Sequence, residues 1–360
     1  MTTEKFDLIV IGAGPGGYVA AIRASQLGMK VACVDRRSTL GGSCLNVGCI
    51  PSKALLNASE QFAKAKDGTL ADLGISVGTP KLDLGRMQAS KDDIVSSLTG
   101  GIDYLFKKNK ITRLEGTARI DQVGTISLVD GPDKGSYQCD RILIATGSHA
   151  SSLPNVEIDE KQIVSSTGAL ALAKLPGKLV VIGAGYIGLE LGTVWARLGA
   201  EVEVIEFLPR ILPGMDKEVA KKFMAIAKRQ GLKFRLRTAI KSAKAYKTGV
   251  TLTVAPADGG DVEQIDADVA LVSVGRHPAT NGLGLEEAGV AVSDRGRIKV
   301  DPRFETSVEG IFAIGDVIDG PMLAHKAEED GIAAVELMAG LAGHVDYDVV
   351  PGIVYTAPEV

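Results

Sequence analysis

The stretch FDLIVIGAGPGG, residues 6–17, decides the fold of this 360-residue chain. Its first half, residues 6–11, is an apolar run that predicts a buried parallel strand. Glycines follow at the spacing GxGxxG, at Gly12, Gly14 and Gly17. They allow close approach of the backbone to a ligand, and the N-terminus of a following helix presents N–H groups to an anion. The stretch therefore predicts a phosphate-binding turn.

The residues that follow complete a βαβ unit around this turn. A helical pattern runs to about Gly28, and a second apolar run at residues 31–34 ends in Asp35. An acid at the end of the second strand accepts hydrogen bonds from a ribose. Strand, glycine turn, helix, strand and acid together predict a dinucleotide site, whereas GxGxxG alone would be weak evidence.

The same pattern occurs a second time in the chain. A strand pattern at residues 178–182 leads into Gly183, Gly185 and Gly188, and the next strand ends in Glu206. The offset from the first copy is 171 residues for the first glycine, the last glycine and the acid. An internal repeat of this kind predicts two nucleotide-binding domains. Two dinucleotides imply an electron relay, with a flavin in one domain and a nicotinamide in the other.

Glu206 indicates which nicotinamide binds. A carboxylate at the ribose position accepts a hydrogen bond from a free 2′-hydroxyl and repels a 2′-phosphate, whereas an NADP site favours arginine. Arg210 lies four residues further on and is interpreted as a surface residue. We therefore expect NAD rather than NADP.

A second informative stretch is GGSCLNVGCIPSK, residues 41–53, which contains Cys44 and Cys49. Pro51 suits the first turn of a helix, and apolar residues after it recur at helical spacing. Both cysteines would lie near a helix N-terminus, where the dipole favours thiolate, as in a redox dithiol. Two buried structural cysteines are the simpler alternative. Zinc is a weaker one because no second Cys/His pair has matching spacing.

Composition limits the remaining possibilities. The net charge of −4 argues against general nucleic-acid binding. We see no membrane-spanning apolar run and no signal or transit peptide, so we expect a bacterial-type cytoplasmic protein. Four cysteines suggest a reducing compartment, in which a Cys44–Cys49 disulfide would be catalytic rather than structural. Cys33 and Cys139 lie in strand-like runs and are predicted core residues.

A long helix is predicted at residues 87–110. Ile94, Leu98, Ile102 and Leu105 share one of its faces, and we expect its charged residues to form a solvated face rather than a site.

These motifs together resemble the pyridine nucleotide–disulfide oxidoreductases over essentially the whole chain. The resemblance is carried by the cysteine stretch, the paired glycine motifs, the ATG step at residues 145–147 and IFAIGDV at residues 311–317. CIPSK at 49–53, YIGLELG at 186–192 and MLAHKAEEDG at 322–331 resemble the members that oxidise the dihydrolipoyl groups of 2-oxoacid dehydrogenase complexes. Ser43 departs from the threonine usual in the family but keeps the hydroxyl.

The resemblance implies a role for each matched residue. Cys49 would contact the flavin, Cys44 would exchange with the substrate dithiol, and Lys53 would lie near the flavin and pair with Glu190. The implied FAD-binding residues are Gly12, Gly14, Gly17, Asp35, Lys53, Thr146, Gly147, Asp316, Met322, Leu323 and Ala324. The implied NAD-binding residues are Gly183, Gly185, Tyr186, Gly188, Glu206 and Gly275. No metal site is expected.

The expected fold class is α/β, with two Rossmann-like, three-layer ββα domains and an FAD-binding domain that is discontinuous in sequence. The FAD-binding domain is predicted at residues 1–148 and 276–348, with the NAD-binding domain at 149–275 between its two parts. Residues 349–360 resemble the first strand of the family's C-terminal dimerisation domain.

The resemblance also predicts what the chain would lack. Family members are homodimers in which the C-terminal domain supplies a histidine–glutamate pair to the partner's active site. We expect a truncated, largely monomeric chain with little dihydrolipoamide turnover and some electron transfer from NADH to dyes. The expected partner is the lipoyl domain of a 2-oxoacid dehydrogenase complex. Alternatives are another FAD/NAD(P)-dependent disulfide reductase, such as a mercuric or glutathione reductase, or a non-catalytic flavoprotein module.

Overall fold

The computed structural model describes residues 5–360; the predicted first domain begins at residue 1, so its first four residues lie outside this range. The helices are α1 Pro15–Gln26, α2 Gly42–Val47, α3 Cys49–Lys66, α4 Thr69–Asp72, α5 Leu84–Lys108, α6 Ser166–Ala169, α7 Tyr186–Leu198, α8 Lys217–Arg229 and α9 Ala324–Met338.

Most strands are short and lie between these helices. They are β1 Lys5–Ile11, β2 Val31–Asp35, β3 Thr112–Glu115, β4 Ala118–Gln122, β5 Thr125–Leu128, β6 Gly135–Ile144, β7 Ser148–Ala150, β8 Ile163–Val164, β9 Lys178–Ile182, β10 Glu201–Ile205, β11 Leu232–Arg235, β12 Thr238–Tyr246, β13 Gly249–Pro256, β14 Glu263–Ala267, β15 Val269–Val272, β16 Arg276–Pro278 and β17 Ile311–Ala313. The predicted α/β class is confirmed.

The chain folds as two compact units, each made of three chain segments. The first unit comprises the chain up to Asn46, Val95–His149 and Arg276–Val350, and the second comprises Val47–Ile94, Ala150–Gly275 and Pro351–Val360. Residues 47–94, which include α3, therefore belong to the unit that contains the second glycine motif. The predicted domain boundaries divide the chain by the cofactor that each segment is expected to bind, not by contacts. They stay a prediction.

The first unit is built on a seven-stranded sheet. Parallel strands run in the order β3, β2, β1, β6, with β17 on the far side of β6, and β4 and β5 continue antiparallel. The parallel strands are fully buried at residues such as Ile9, Ile142 and Leu143, as continuous apolar runs require. Helices α1 and α9 pack closely, because a Cβ on Gly331 would lie 2.6 Å from the Gly16 carbonyl oxygen.

The second unit repeats this plan with a five-stranded parallel sheet, ordered β11, β10, β9, β15, β8. Strands β12, β13 and β14 form a separate antiparallel sheet. Leu55 of α3 and Leu189 and Trp195 of α7 are fully buried in one apolar cluster with Val181 of β9. This shared core fixes α3 beside α7.

The predicted long helix exists as α5, but its charged residues are not all solvated as predicted. Ile94 and Leu98 are 42% and 43% exposed, and Lys91 is only 8% exposed. The Lys91 ammonium donates to the Leu170 carbonyl oxygen at 3.1 Å, which compensates for its burial.

None of the helices within residues 5–360 is both long enough and apolar enough to span a membrane.

Candidate functional site

The first glycine motif is a tight crossing between strand and helix. Gly12 has a φ of 104°, and a Cβ there would lie 2.3 Å from the Ala145 carbonyl oxygen. A Cβ on Gly17 would lie 1.8 Å from the Gly12 carbonyl oxygen. Any side chain at either position would push α1 away from β1 and β6, so glycine is required by packing.

The second motif reproduces these contacts. Gly183 has a φ of 102°, and its Cβ would lie 2.5 Å from the Ser273 carbonyl oxygen. A Cβ on Gly188 would lie 2.2 Å from the Gly183 carbonyl oxygen. The sequence repeat is therefore also a repeat of local geometry.

The middle glycines, Gly14 and Gly185, serve a different purpose. Each is the N-cap of its helix, and neither offers a side-chain cap to the first turn. A Cβ on Gly185 would meet nothing within 4 Å, and one on Gly14 would meet only Gly42, at 3.9 Å. Open space in front of uncapped N–H groups suits the charge and size of a pyrophosphate. Both turns thus fit a dinucleotide.

The two acids occupy equivalent positions. Asp35 Oδ2 accepts from the Ala13 N–H at 2.8 Å, and Glu206 Oε2 accepts from the Ala184 N–H at 2.7 Å. The second oxygen of each acid accepts from the backbone N–H two residues further on. These bonds fix each carboxylate beside its glycine turn, where a ribose would be met. Arg210 instead donates to backbone carbonyls of its own loop.

This division of roles predicts opposite phenotypes for two glycines in one turn. Gly188→Ala should destabilise the protein by about 1–3 kcal/mol, because its methyl group meets backbone. Gly185→Ala should leave the unfolding midpoint nearly unchanged but weaken NADH binding, because its methyl group enters the space assigned to the pyrophosphate. Denaturant unfolding and NADH titration of both variants test this. An unchanged midpoint for Gly188→Ala would contradict the packing role.

The cysteines of residues 41–53 lie at two helices. Cys44 is in the short helix α2, and Cys49 is the first residue of α3, with Gly48 as N-cap, so the predicted helix start is confirmed. Both side chains are half-buried. Cys33 and Cys139 are buried instead, and burial raises the pKa of both thiols, that of Cys139 to about 12. The prediction that both are core residues is confirmed, and the raised pKa values keep these two thiols protonated.

Lys53 lies one turn after Cys49 on α3, and it pairs with Glu190 of α7. The Lys53 ammonium contacts both carboxylate oxygens, at 3.0 and 2.9 Å. Glu190 is 4% exposed, whereas about a third of the Lys53 side chain is exposed. The pair is therefore not the solvated surface pair that a lysine and a glutamate would form by default.

Two residues that the sequence did not single out complete this arrangement. The Ser52 hydroxyl donates to Glu190 Oε2 at 3.0 Å, and the Tyr355 N–H donates to Oε1 at 3.0 Å. The Lys53 ammonium also lies 4.5 Å from the centre of the Tyr355 ring, within cation–π range. Glu190 thus receives two donors besides Lys53, which fixes the direction in which Lys53 points.

The remaining predicted residues lie in loops and at helix starts, some in the first unit and some in the second. In the first unit, the Thr146 hydroxyl donates to the Ala279 carbonyl oxygen at 2.7 Å, and Gly147 has a φ of 73°. In the second unit, Gly275 has a φ of 129°, and Tyr186 begins α7.

Asp316 lies in the 3₁₀ turn Gly315–Val317 that directly follows β17. Its Oδ2 accepts from the hydroxyl of Ser148, a buried residue that the sequence did not single out. Leu323 is the N-cap of α9, has no side-chain cap, and lies between Met322 and Ala324, the first residue of α9.

Within residues 5–360, no group of three or more His, Cys, Asp or Glu side chains is arranged to hold a metal ion.

Comparison with known proteins places this geometry in a family. The family model for pyridine nucleotide-disulphide oxidoreductases matches residues 6–331. Mitochondrial dihydrolipoyl dehydrogenase of Pisum sativum is 54% identical over 99% of this chain, which covers 72% of that protein. Dihydrolipoyl dehydrogenase 3 of Pseudomonas aeruginosa is 51% identical over 99% of this chain, which covers 76% of that protein.

A solved structure shares the fold. The Cu(II) complex of the HOCl-induced flavoprotein disulfide reductase RclA from Escherichia coli matches with a TM-score of 0.86 and 26% identity. The match covers 99% of this chain and 76% of that one. The resemblance inferred from the motifs is confirmed: the chain belongs to the pyridine nucleotide-disulphide oxidoreductase family, and the relatives that it matches over almost its whole length include dihydrolipoyl dehydrogenases.

Proposed function

We propose that the protein is an NAD-dependent dihydrolipoyl dehydrogenase, which oxidises a protein-bound dihydrolipoyl group through a Cys44–Cys49 disulfide and FAD. The observation that carries the proposal is the arrangement on α3. Cys49 begins the helix, and one turn later Lys53 is held by the buried Glu190. In this proposal the N-terminus of α3 favours the thiolate of Cys49, and Glu190 orients Lys53.

The cysteines carry the substrate chemistry. A thiolate of the dihydrolipoyl group attacks Cys44 Sγ, and the bond to Cys49 breaks with Cys49 leaving as thiolate. The second substrate thiol, after losing its proton, attacks the mixed disulfide at the lipoyl sulfur and releases the Cys44 thiolate. The substrate becomes a disulfide, and the cysteine pair takes up its two electrons. When bound, FAD would supply the electron transfer between the cysteine pair and NAD⁺.

We assign FAD to the first glycine turn and NAD to the second. Gly12, Gly14, Gly17 and Asp35 would hold the FAD pyrophosphate and ribose, and the first-unit loops would hold the rest of it. Those loop residues are Thr146, Gly147, Asp316, Met322, Leu323 and Ala324. The open space in front of the uncapped start of α1, at Gly14, supports this assignment.

The second turn would hold the nicotinamide nucleotide through the residues that repeat this geometry, together with two residues beside it. They are Gly183, Gly185, Gly188, Glu206, Tyr186 and Gly275. Lys53 would act on the flavin by its charge, oriented by Glu190.

The proposed partner is the lipoyl domain of a 2-oxoacid dehydrogenase complex, in the cytoplasm of a bacterium. The proposed assembly is a homodimer. The Pisum sativum relative is a mitochondrial dihydrolipoyl dehydrogenase, so the location of this protein is to be measured directly. Glu206 disfavours the NADP-using reductases, and Pro51-Ser52-Lys53 disfavours the glutathione type.

The test starts with the purified protein. It should be yellow and contain about one FAD per chain, and it should transfer electrons from NADH to a dye. Dihydrolipoamide oxidation should be measured on the same preparation. A folded, colourless protein that takes up no added FAD would refute the proposal and favour a different role for the fold. Dye reduction that requires NADPH would instead point to another disulfide reductase.

A further inference from the structure

The first unit contains an ion pair that is completely buried and has no role in the proposed chemistry. Lys326 and Asp330 lie one turn apart on α9, both are 0% exposed, and their charged groups are 2.7 Å apart. Buried ion pairs lose so much hydration that they rarely stabilise a fold more than apolar residues would. A fully desolvated pair therefore calls for an explanation other than stability.

The contacts of the pair converge on one residue, Gly315. The Lys326 ammonium donates to the Gly315 carbonyl oxygen at 3.1 Å, and Asp330 Oδ2 accepts from the Gly315 N–H at 3.0 Å. Both backbone polar groups of a single residue are thus held by the two opposite charges.

Further bonds complete the hydrogen bonding of both side chains. Lys326 also donates to the Asp319 carbonyl oxygen at 3.3 Å, and Asp330 Oδ1 accepts from the Tyr347 hydroxyl at 2.8 Å. The turn from Gly315 to Asp319 is therefore tied to α9 at two points. Gly315 itself has a φ of 73°, and a Cβ there would lie 3.1 Å from Ala327 Cβ. The backbone is held in a conformation that only glycine adopts at low cost.

The residue after Gly315 is Asp316, whose carboxylate is held from a different direction. Ser148 donates its hydroxyl to Asp316 Oδ2. Arg276 donates to the Ser148 hydroxyl oxygen at 2.6 Å and to the Ser148 carbonyl oxygen at 2.7 Å. The backbone before Asp316 is fixed by the ion pair, and its side chain is fixed by Ser148.

We propose that Lys326 and Asp330 are positioning residues for FAD binding: they hold the Gly315 peptide groups so that the Asp316 carboxylate is presented to the flavin nucleotide. The inference rests on the proposed function, in which Asp316 contacts FAD. A buried polar pair achieves this where apolar residues would not, because apolar side chains can neither accept from the Gly315 N–H nor donate to its carbonyl group.

The direct test neutralises the pair without leaving an unpaired charge. Lys326→Met/Asp330→Asn should bind FAD roughly 10- to 100-fold more weakly, as expected from losing hydrogen bonds to charged groups. The Gly315 amide of the apoprotein should exchange its hydrogen faster. The matched control is Glu218→Gln/Lys222→Met, which removes an exposed pair of the same helical spacing. The control should bind FAD like the unmodified protein.

A double-mutant cycle with Asp316→Asn separates positioning from general stability. If the pair acts through Asp316, neutralising it in the Asp316→Asn background should cause little further loss of FAD affinity. Fully additive losses, or unchanged affinity in the neutralised variant, would overturn the inference. If the double substitution unfolds, Tyr347→Phe provides the milder perturbation, with the same cycle and the same criteria. Failure of the unmodified protein to bind FAD would refute the proposed function instead.

Discussion

Cys49→Ser should abolish both dihydrolipoamide oxidation and the long-wavelength absorption band expected on partial reduction. The turnover should fall to on the order of a thousandth or less, because a covalent nucleophile is lost. The band requires a thiolate against the flavin, and Cys49, at the start of α3, is the thiol assigned to that contact. Cys44→Ser should lose turnover equally but keep the band.

The two serine variants serve as controls for each other, because both remove the disulfide and only one should remove the band. The long-wavelength band is measured in absorption spectra during anaerobic titration with dithionite. Cys139→Ser provides a third comparison, since this thiol is buried and protonated, and it should change neither property. A band that survives in Cys49→Ser and disappears in Cys44→Ser would show that the two roles are reversed.

Glu206→Arg should change the coenzyme preference from NADH to NADPH. The carboxylate is held beside the second glycine turn by two backbone N–H groups, so a 2′-phosphate would meet a fixed negative charge. Such repulsion costs several kcal/mol, so we expect NADH to bind the unmodified protein roughly 100-fold more tightly than NADPH. Glu206→Gln, which keeps an acceptor oxygen, should narrow the gap.

The matched control is Glu201→Arg, at an exposed residue at the start of the same strand. It makes the same charge change away from the turn and should leave the preference unaltered. Fluorescence titration gives the dissociation constants of NADH and NADPH for each variant, and their ratio is the coenzyme preference. Equal affinities for NADH and NADPH in the unmodified protein would refute the ribose assignment of Glu206.

Much of the two glycine turns could be predicted from sequence because their determinants are local. A strand, three glycines and an acid recur at fixed spacing, and backbone sterics then determine the structure. The constant offset of 171 residues between the two copies predicted the repeat. The start of α3 near Cys49 followed in the same way from Pro51 and helical periodicity.

What the sequence analysis predicted wrongly or missed concerns residues whose contacts in the fold are with residues distant in sequence. On α5, Lys91 is buried although the charged face was predicted to be solvated, and its ammonium donates to a carbonyl group 79 residues away. The Glu190 donors Ser52 and Tyr355 are separated from it by 138 and 165 residues. Periodicity carries no information on such pairs, and neither does local composition.

The discontinuous first unit has a consequence for how the protein acquires its structure during synthesis. Strand β6 pairs with β1 early in the chain, but its other parallel neighbour, β17, begins only at Ile311. Helix α9, which packs against α1, follows later still. At about 5–20 residues per second, a ribosome needs many seconds to add the intervening residues. During that time the nascent sheet has an open hydrophobic edge at Ile142–Ile144, where chaperones or aggregation would compete with native pairing.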